Sequence, residues 1–340
     1  MAESTPLRVG FVGVGGRAES HLRAVLKVRD AKIVAIADID GDRARAVAQR
    51  YEAAAYETTE QMLDAEALDA AWVVTPPRFH TGPVIEIARR GINVYIEKPV
   101  ALNMADALIM EKAVEDAGVI AAVSYQIRHL DTVARVHDAL ASKDITMLNT
   151  RYYWTIPGRW ARDTAMSGGQ IVEQGTHLVD LMRYWAGDVK TVHAIYGNRA
   201  LGGVEEFNTW DANVVNLGFE SGAVGSVATT YALFPGVPDN VQVDIVVREL
   251  LIRFSYSGVQ IHRPGNSEEF EPANNPDEAA SAAFLHAVRT GDRSGVLAPL
   301  DDANRTLAVT LAANESARTG EAIEVASFVE AESAGAGTGG

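Results

Sequence analysis

No cysteine occurs in the 340 residues, which removes disulfide staples, thiolate nucleophiles and cysteine-based zinc sites together. Basic residues are in deficit: 30 Lys and Arg stand against 45 Asp and Glu, a net charge of −15. With that balance and no basic cluster, no nucleic-acid partner is expected. Long apolar runs are missing too; none approaches the ~18 residues of a membrane span. The opening MAESTPLRVGFVG has no basic segment leading into an apolar one. No membrane partner is expected, and a cytoplasmic location is. GxSxG is absent, which counts against a triad hydrolase. His21, His129, His137, His193, His262 and His286 show no metal-ligand spacing, so no metal is expected.

What is present is rhythm. Apolar runs at 7–14, 32–38, 69–77, 93–99 and 119–125 alternate with helical patterns at 16–29, 42–51, 58–65, 80–90 and 103–117. Such alternation builds a parallel sheet with helices on both faces. Gly91 and Gly118 stand where the last two helices should stop. Beyond about residue 125 a helical stretch (130–142) leads to the run ITMLNTRYYWT, a glycine-punctuated loop and a helix over 170–185. Strand patterns then dominate 189–263, and helices return at 277–290 and 299–319. The chain exceeds what one core usually organises. The fold class expected is α/β: an N-terminal Rossmann doubly wound parallel sheet over residues 1–125, then an α+β domain over 126–325. The second domain carries a large, mostly antiparallel open sheet for substrate binding and oligomerisation. Residues 326–340 end in low-complexity ESAGAGTGG and read as a flexible tail.

The first run ends in Gly13-Val14-Gly15-Gly16-Arg17-Ala18, which fits G-x-G-x-x-[G/A]. Gly13 permits the tight turn, Gly15 lets backbone approach a pyrophosphate, and Ala18 lets the helix pack on the strand. N–H groups at that helix start, from Gly16 and Arg17 onward, face the phosphates. Asp38 closes the second run, where a carboxylate meets the adenosine ribose and repels a 2′-phosphate. NAD is therefore favoured over NADP. Asp38 also reads as the start of a DIDGD turn, and Arg43 and Arg45 nearby are able to stabilise a phosphate.

TPPRFH (75–80) and EKP (97–99) close two further runs of the first domain. Ligands of open parallel sheets sit outside the carboxyl ends of the strands. That places Thr75, Pro76, His80, Glu97 and Lys98 among the cofactor-binding candidates, facing the nicotinamide half. For His80, at a helix start, capping or packing is the alternative. A cis Lys98–Pro99 bond would re-aim the lysine. In SGGQIVEQGTHLVDLMRYWAG, Glu173 and His177 are four apart and share a helix face, with Asp180 three further on. Gly175 within that helix costs about 1 kcal/mol against Ala and marks a close approach. The same spacing also suits a surface histidine with carboxylate neighbours.

The glycine turn, the acid at 38, TPP…H, EKP and GG…E…H…D in this order resemble the Gfo/Idh/MocA oxidoreductases, from about Arg8 to about Val325. The resemblance implies a Rossmann domain, a C-terminal domain with an open sheet, a homodimer or homotetramer, and Lys98 and His177 as catalytic positions. Many members carry Asp where this chain has Glu173, one methylene longer. The implied activity is NAD-dependent hydride transfer from a secondary alcohol of a sugar, sugar derivative or cyclitol. His177 would be the general base, an imidazole being suited to proton transfer near neutral pH. Lys98 would hydrogen-bond the same oxygen and stabilise alkoxide charge. Glu173 would orient His177 or bind substrate, and Asp180 would orient or serve structure. Tyr125, Gln126 and Arg128 are candidates for the mouth of the site. Trp154, Arg159, Trp160, Arg162 and Asp163 form either a polyol lid or a packing loop. Two other functions stay open: an NAD-recycling glycosidase or epimerase, and a non-catalytic dinucleotide sensor.

Overall fold

The computed structural model describes residues 5–336 except 142 and 239. It divides into two units. The first contains residues 1–101, 106–129 and 274–303, and the second contains 102–105, 130–273 and 304–340. The break after the first six strands falls between 129 and 130, where the sequence suggests about 125. The segment 274–303 departs further, because it belongs with the N-terminal unit.

In chain order the N-terminal unit starts with β1 (Leu7–Val12), α1 (Ala18–Leu26), β2 (Ala31–Ala37), α2 (Gly41–Tyr51), β3 (Ala54–Tyr56) and α3 (Thr59–Ala65). It continues with β4 (Ala70–Val73), α4 (Thr81–Arg89), β5 (Asn93–Ile96), α5 (Met104–Ala117) and β6 (Ala121–Val123). The six strands pair in parallel in the order β3-β2-β1-β4-β5-β6. Strand order reverses direction between β1 and β4, which opens the crevice where such sheets take ligands. Side-chain caps fix the helix starts: Asp40 accepts from the Arg43 N–H and Thr58 from the Gln61 N–H.

The later helix α10 (Pro276–Thr290) joins this unit through its rings. Phe284 packs edge-on against Trp72, with ring centroids 5.3 Å apart, and Trp72 stacks between Phe11 and Tyr95 at 5.6 and 5.2 Å. All four rings are buried. Aromatic burial of this kind dominates core energetics, and nothing local in 276–290 discloses it.

The C-terminal unit runs α6 (Asp131–Leu140), β7 (Met147–Tyr153), the short helices α7 (Arg159–Arg162) and α8 (Thr164–Ser167), then α9 (Thr176–Ala186). Strands β8 (Val189–Gly197), β9 (Ala212–Phe219), β10 (Val224–Thr230), β11 (Val241–Val247), β12 (Leu250–Ser255), β13 (Gly258–Arg263) and β14 (Asn266–Phe270) follow. The long helix α11 (Leu300–Thr319), β15 (Ile323–Glu324) and α12 (Val325–Ala336) close the chain. The sheet order is β14-β13-β12-β11-β7-β10-β9-β8-β15, antiparallel except between β7 and β10. Period-two burial along β9 and β11 shows one face covered and one open. Met182 of α9 fills the space over Gly225, and Trp185 meets Phe254 edge-on at 5.5 Å. The open face exposes Met147, Ile195, Val214, Val224 and Val246.

The flexible tail expected from residue 326 is instead a helix through Ala336; residues 337–340 lie outside the described residues. Alanine and glutamate are strong helix formers, and the Glu324 carboxylate accepts from the Ser327 N–H at the helix start. Among the described residues, no helix is long and apolar enough to cross a membrane.

Candidate active site

The glycine turn follows β1 directly. Gly13 has φ +82°, and a Cβ there would lie 2.7 Å from Thr75 Cγ2 and 2.8 Å from the Val74 carbonyl oxygen. Any other residue is both strained and blocked. Around Gly15 and Gly16 a Cβ would meet no atom within 4 Å, so the space before the turn is open to a ligand. The Thr75 hydroxyl is buried beside Gly13 without a protein partner among the described residues. Open space before the start of α1, plus a buried polar atom in need of a partner, fits a bound dinucleotide. Ala18 is buried in the packing of α1 on the sheet, as a small third residue should be.

Asp38 is buried at the end of β2 and fully engaged. Its carboxylate accepts from the N–H of Val14 at 2.8 Å and of Asp40 at 2.9 Å, and from the Arg43 fork at 3.0 and 2.6 Å. Burial works to raise its pKa, but the Arg43 pair and the two backbone donors prevail and hold it below the usual range. Arg43 thus sits on the acid rather than apart from it, a detail the local spacing left open.

Glu97 ends β5 as a buried carboxylate between two partners. Oε1 accepts from Arg17 Nε at 3.2 Å, and Oε2 lies 3.2 Å from His21 Nε2. Burial opposes its charge, yet His21, Arg17 and Lys98 hold its pKa far below the ordinary carboxylate value. Arg17 also forks onto Asp277 at 3.0 and 2.5 Å. Glu97 and Arg17, expected to face the cofactor, are therefore committed to each other. The next peptide, Lys98–Pro99, is cis, as the sequence suggests. His21 lies four residues after Arg17 on α1, so helical spacing could have found it. Asp277, 260 residues away, carried no local signal.

His80 is wholly buried, its ring nitrogens 3.0 Å from the Val100 carbonyl and 2.8 Å from that of Thr75. Burial pushes its pKa down while the Thr75 and Val100 carbonyls work the other way, and the ring ties two loops together. This corrects its place among cofactor contacts; Pro76 lies in the loop it anchors. Arg128 is corrected likewise: it is buried, paired with Asp302 at 2.7 Å and donating to the Leu297 carbonyl at 2.6 Å. Its guanidinium serves the core of the N-terminal unit. Tyr125 is buried, and Gln126 is half-buried.

In the C-terminal unit the segment Ile171–Gly175 is a π-helical turn running into α9. Such turns often stand at functional sites. A Cβ on Gly175 would come within 2.7 Å of Ile171 Cδ1 and 3.4 Å of Thr229 Cγ2, so the close approach expected there is to the turn itself and to β10. A buried amide ladder pins the turn. Gln170 donates to Gln174 at 3.1 Å, and Asn213 donates to Gln170 at 3.0 Å and to Thr229 at 2.9 Å. Glu173 stands in this turn and His177 four residues on, in the first turn of α9. The Glu173 carboxylate accepts from the Tyr231 hydroxyl at 3.4 Å. Burial first, then Glu173, holds that phenol well above its ordinary pKa, so Tyr231 stays a donor. His177 is 8% exposed on the first turn of α9. Asp180 is buried and accepts from Thr306 at 3.1 Å, a bond to α11.

The loop 154–163 divides. Trp154 and Trp160 are each 41% exposed. Arg159 is exposed and faces Glu205 at 3.2 Å. Arg162 donates to the Pro157 carbonyl at 2.9 Å, and Asp163 accepts from Ala165 N–H at 3.1 Å to cap α8. Arg162 and Asp163 are thus framework of the loop, and the tryptophans are its free surface. Among the described residues, no group of three His, Asp or Glu is arranged to hold a metal ion.

Residues 7–125 match the family model described as oxidoreductase family, NAD-binding Rossmann fold, and residues 133–246 match the GFO/IDH/MocA C-terminal domain. D-apiose dehydrogenase of Paraburkholderia graminis is 30% identical over 95% of this chain and 90% of its own. Myo-inositol 2-dehydrogenase of Thermotoga maritima is 25% identical over 70% and 72%. The WlbA dehydrogenase of Bordetella pertussis, solved with NADH and UDP-GlcNAcA, superposes with a TM-score of 0.81 at 25% identity, covering 94% of this chain and 98% of its own. Two family models spanning both halves, a dinucleotide turn with open space before it and the glutamate-lysine-proline turn at β5 lead to one conclusion: the chain belongs to the Gfo/Idh/MocA family of oxidoreductases.

Proposed function

We infer that the protein is an NAD-dependent dehydrogenase that oxidises a secondary alcohol of a sugar, sugar derivative or cyclitol. The observation that carries this is the Glu97-Lys98-Pro99 turn at the end of β5, with Glu97 fixed by Arg17 and His21 so that Lys98 stands on a rigid tip. Relatives named for apiose and inositol support a polyhydroxylated substrate.

The start of α1 and the open side of Gly15 and Gly16 would hold the pyrophosphate, Thr75 the nicotinamide half and Asp38 the ribose. Ribose hydroxyls would take over acceptor positions that Arg43 now fills, and the carboxylate at 38 favours NAD over NADP. Bound NAD supplies the hydride acceptor. Lys98 offers its ammonium to the alcohol oxygen, lowering the hydroxyl pKa and stabilising charge as it develops. The His177 imidazole takes the hydroxyl proton. Glu173, held by Tyr231, binds a neighbouring substrate hydroxyl or orients the imidazole. Trp154 and Trp160 offer ring faces to sugar C–H groups. The open sheet face, with Met147, Ile195, Val214, Val224 and Val246 exposed, supports association of two or more copies.

The test is NADH formation with NAD and with NADP against sugars, anhydrosugars and inositols, run beside Lys98→Ala. The expected result is turnover with a polyol in the wild type, and loss of turnover with retained NADH binding in the variant. Near-normal kcat in Lys98→Ala overturns the assignment.

A further inference from the structure

Arg17 stands where the fold draws anions. It opens α1, beside the free N–H groups and the positive end of the helix, and guanidinium is well suited to phosphate. Yet its hydrogen-bonding groups are turned to carboxylates of its own unit. Nε reaches Glu97 at 3.2 Å, while Nη1 and Nη2 form a fork on the two Asp277 oxygens at 3.0 and 2.5 Å. Asp277 is rigidly placed. Its N–H donates to the Asn275 cap at 2.9 Å, and α10 is locked into the core by Phe284. Glu97 depends on this arrangement, because it is 7% exposed and would lose one of its three compensating partners if Arg17 left. An arginine side chain has many rotamers to lose. The bond to Glu97 and a longer 3.3 Å contact with the Gln126 side-chain amide would hold it less well against nearby phosphates than the Asp277 fork does.

We propose that Asp277 is a positioning residue of the nucleotide site: it holds Arg17 on Glu97 and away from the dinucleotide phosphates, so that Arg17 anchors the turn carrying Lys98 instead of binding cofactor. The inference rests on the reading of Lys98 and of the glycine turn given above. Its consequence is a pair of opposed effects. Releasing Arg17 makes it a phosphate ligand, which tightens NADH binding. The same release loosens Glu97 and the turn after it, which lowers turnover. A purely structural residue has no means of tightening cofactor binding in a way that depends on Arg17.

The experiment measures NADH affinity by fluorescence, and kcat, in Asp277→Ala, in Arg17→Leu and in the double variant. The Asp277→Ala dissociation constant for NADH should fall about threefold or more, with a steeper salt dependence, as expected for a new ion pair. Its kcat should fall about tenfold, in line with the cost of a misplaced catalytic group. In the Arg17→Leu background Asp277→Ala should leave NADH affinity unchanged. Unaltered or weaker NADH binding in the single variant overturns the proposal. So does tightening that persists without Arg17, since that would reflect only the loss of a distant negative charge. Asp277→Leu, which fills the side-chain space but offers no acceptor to Arg17, gives the same readings if the alanine variant does not fold. A wild type that binds NADH but oxidises no polyol refutes the proposed function and leaves the affinity arm intact.

Discussion

The two units stabilise buried polar groups in different ways. The N-terminal unit uses full charge: Glu97 and Asp38 are ionised carboxylates wrapped by Arg17, His21, Arg43 and backbone N–H groups. The C-terminal unit adds a neutral ladder beside its π-helical turn, Gln170–Gln174–Asn213–Thr229, to buried charges of its own: Asp180 accepts from Thr306, and Asp211 from the N–H groups of Arg199, Ala200 and Leu201. Charge pairs are strong where every lone pair is met but make their unit sensitive to pH. Amide ladders fix geometry without titrating, and fail sharply when one rung is lost.

The comparison can be broken from either side. The largest effect is expected at the chemistry itself: Lys98→Ala and His177→Ala should each lower kcat by about 10²–10⁴-fold, the usual weight of a proton-handling or charge-stabilising group, measured under saturating NAD. Next comes the joint between segments distant in sequence. Phe284→Ala should destabilise the N-terminal unit by about 3–5 kcal/mol, read by denaturant unfolding, because it empties the slot against Trp72. Breaking a rung of the neutral ladder should cost less. Asn213→Leu leaves the buried Gln170 oxygen unmet and should cost about 1–3 kcal/mol, with a drop in kcat as the π-helical turn relaxes.

A pH series sharpens the contrast. Glu97 has a depressed pKa in the folded state, so its stabilisation is complete above the ordinary glutamate value of about 4.3 and is lost as pH falls through the lower folded value. Glu97→Gln should therefore flatten the acid limb of stability against pH, whereas Asn213→Leu should shift the whole curve without changing its slope. The smallest effect belongs to Arg159→Ala, whose exposed pair with Glu205 should change stability by no more than about 0.5 kcal/mol.

Much of this was legible beforehand. The pattern over 103–117 became a helix at Met104–Ala117, and that over 299–319 became Leu300–Thr319. Long periodic segments carry many agreeing residues. Strand β3, three residues long, was too short to show a period. The π-helical turn escaped because four-residue spacing was read as an ordinary helix, and only the packing of Gly175 on β10 discloses the wider turn. Glu97 was read as a candidate facing the cofactor, and its bond to Arg17 was not foreseen, since a sequence shows a carboxylate and not the arginine aimed at it.

By itself the sequence determined the alternation of strand and helix, the glycine turn and the acid after β2, and it singled out the lysine and histidine proposed to carry the chemistry. Each depends on residue types a few positions apart, within reach of local backbone geometry. Tertiary structure decided that α10 returns to the N-terminal core, that Asp277 meets Arg17, and that Arg128 and His80 are buried in service of packing. Those outcomes turn on which surfaces meet when the chain excludes water, and that depends on contacts between residues hundreds of positions apart.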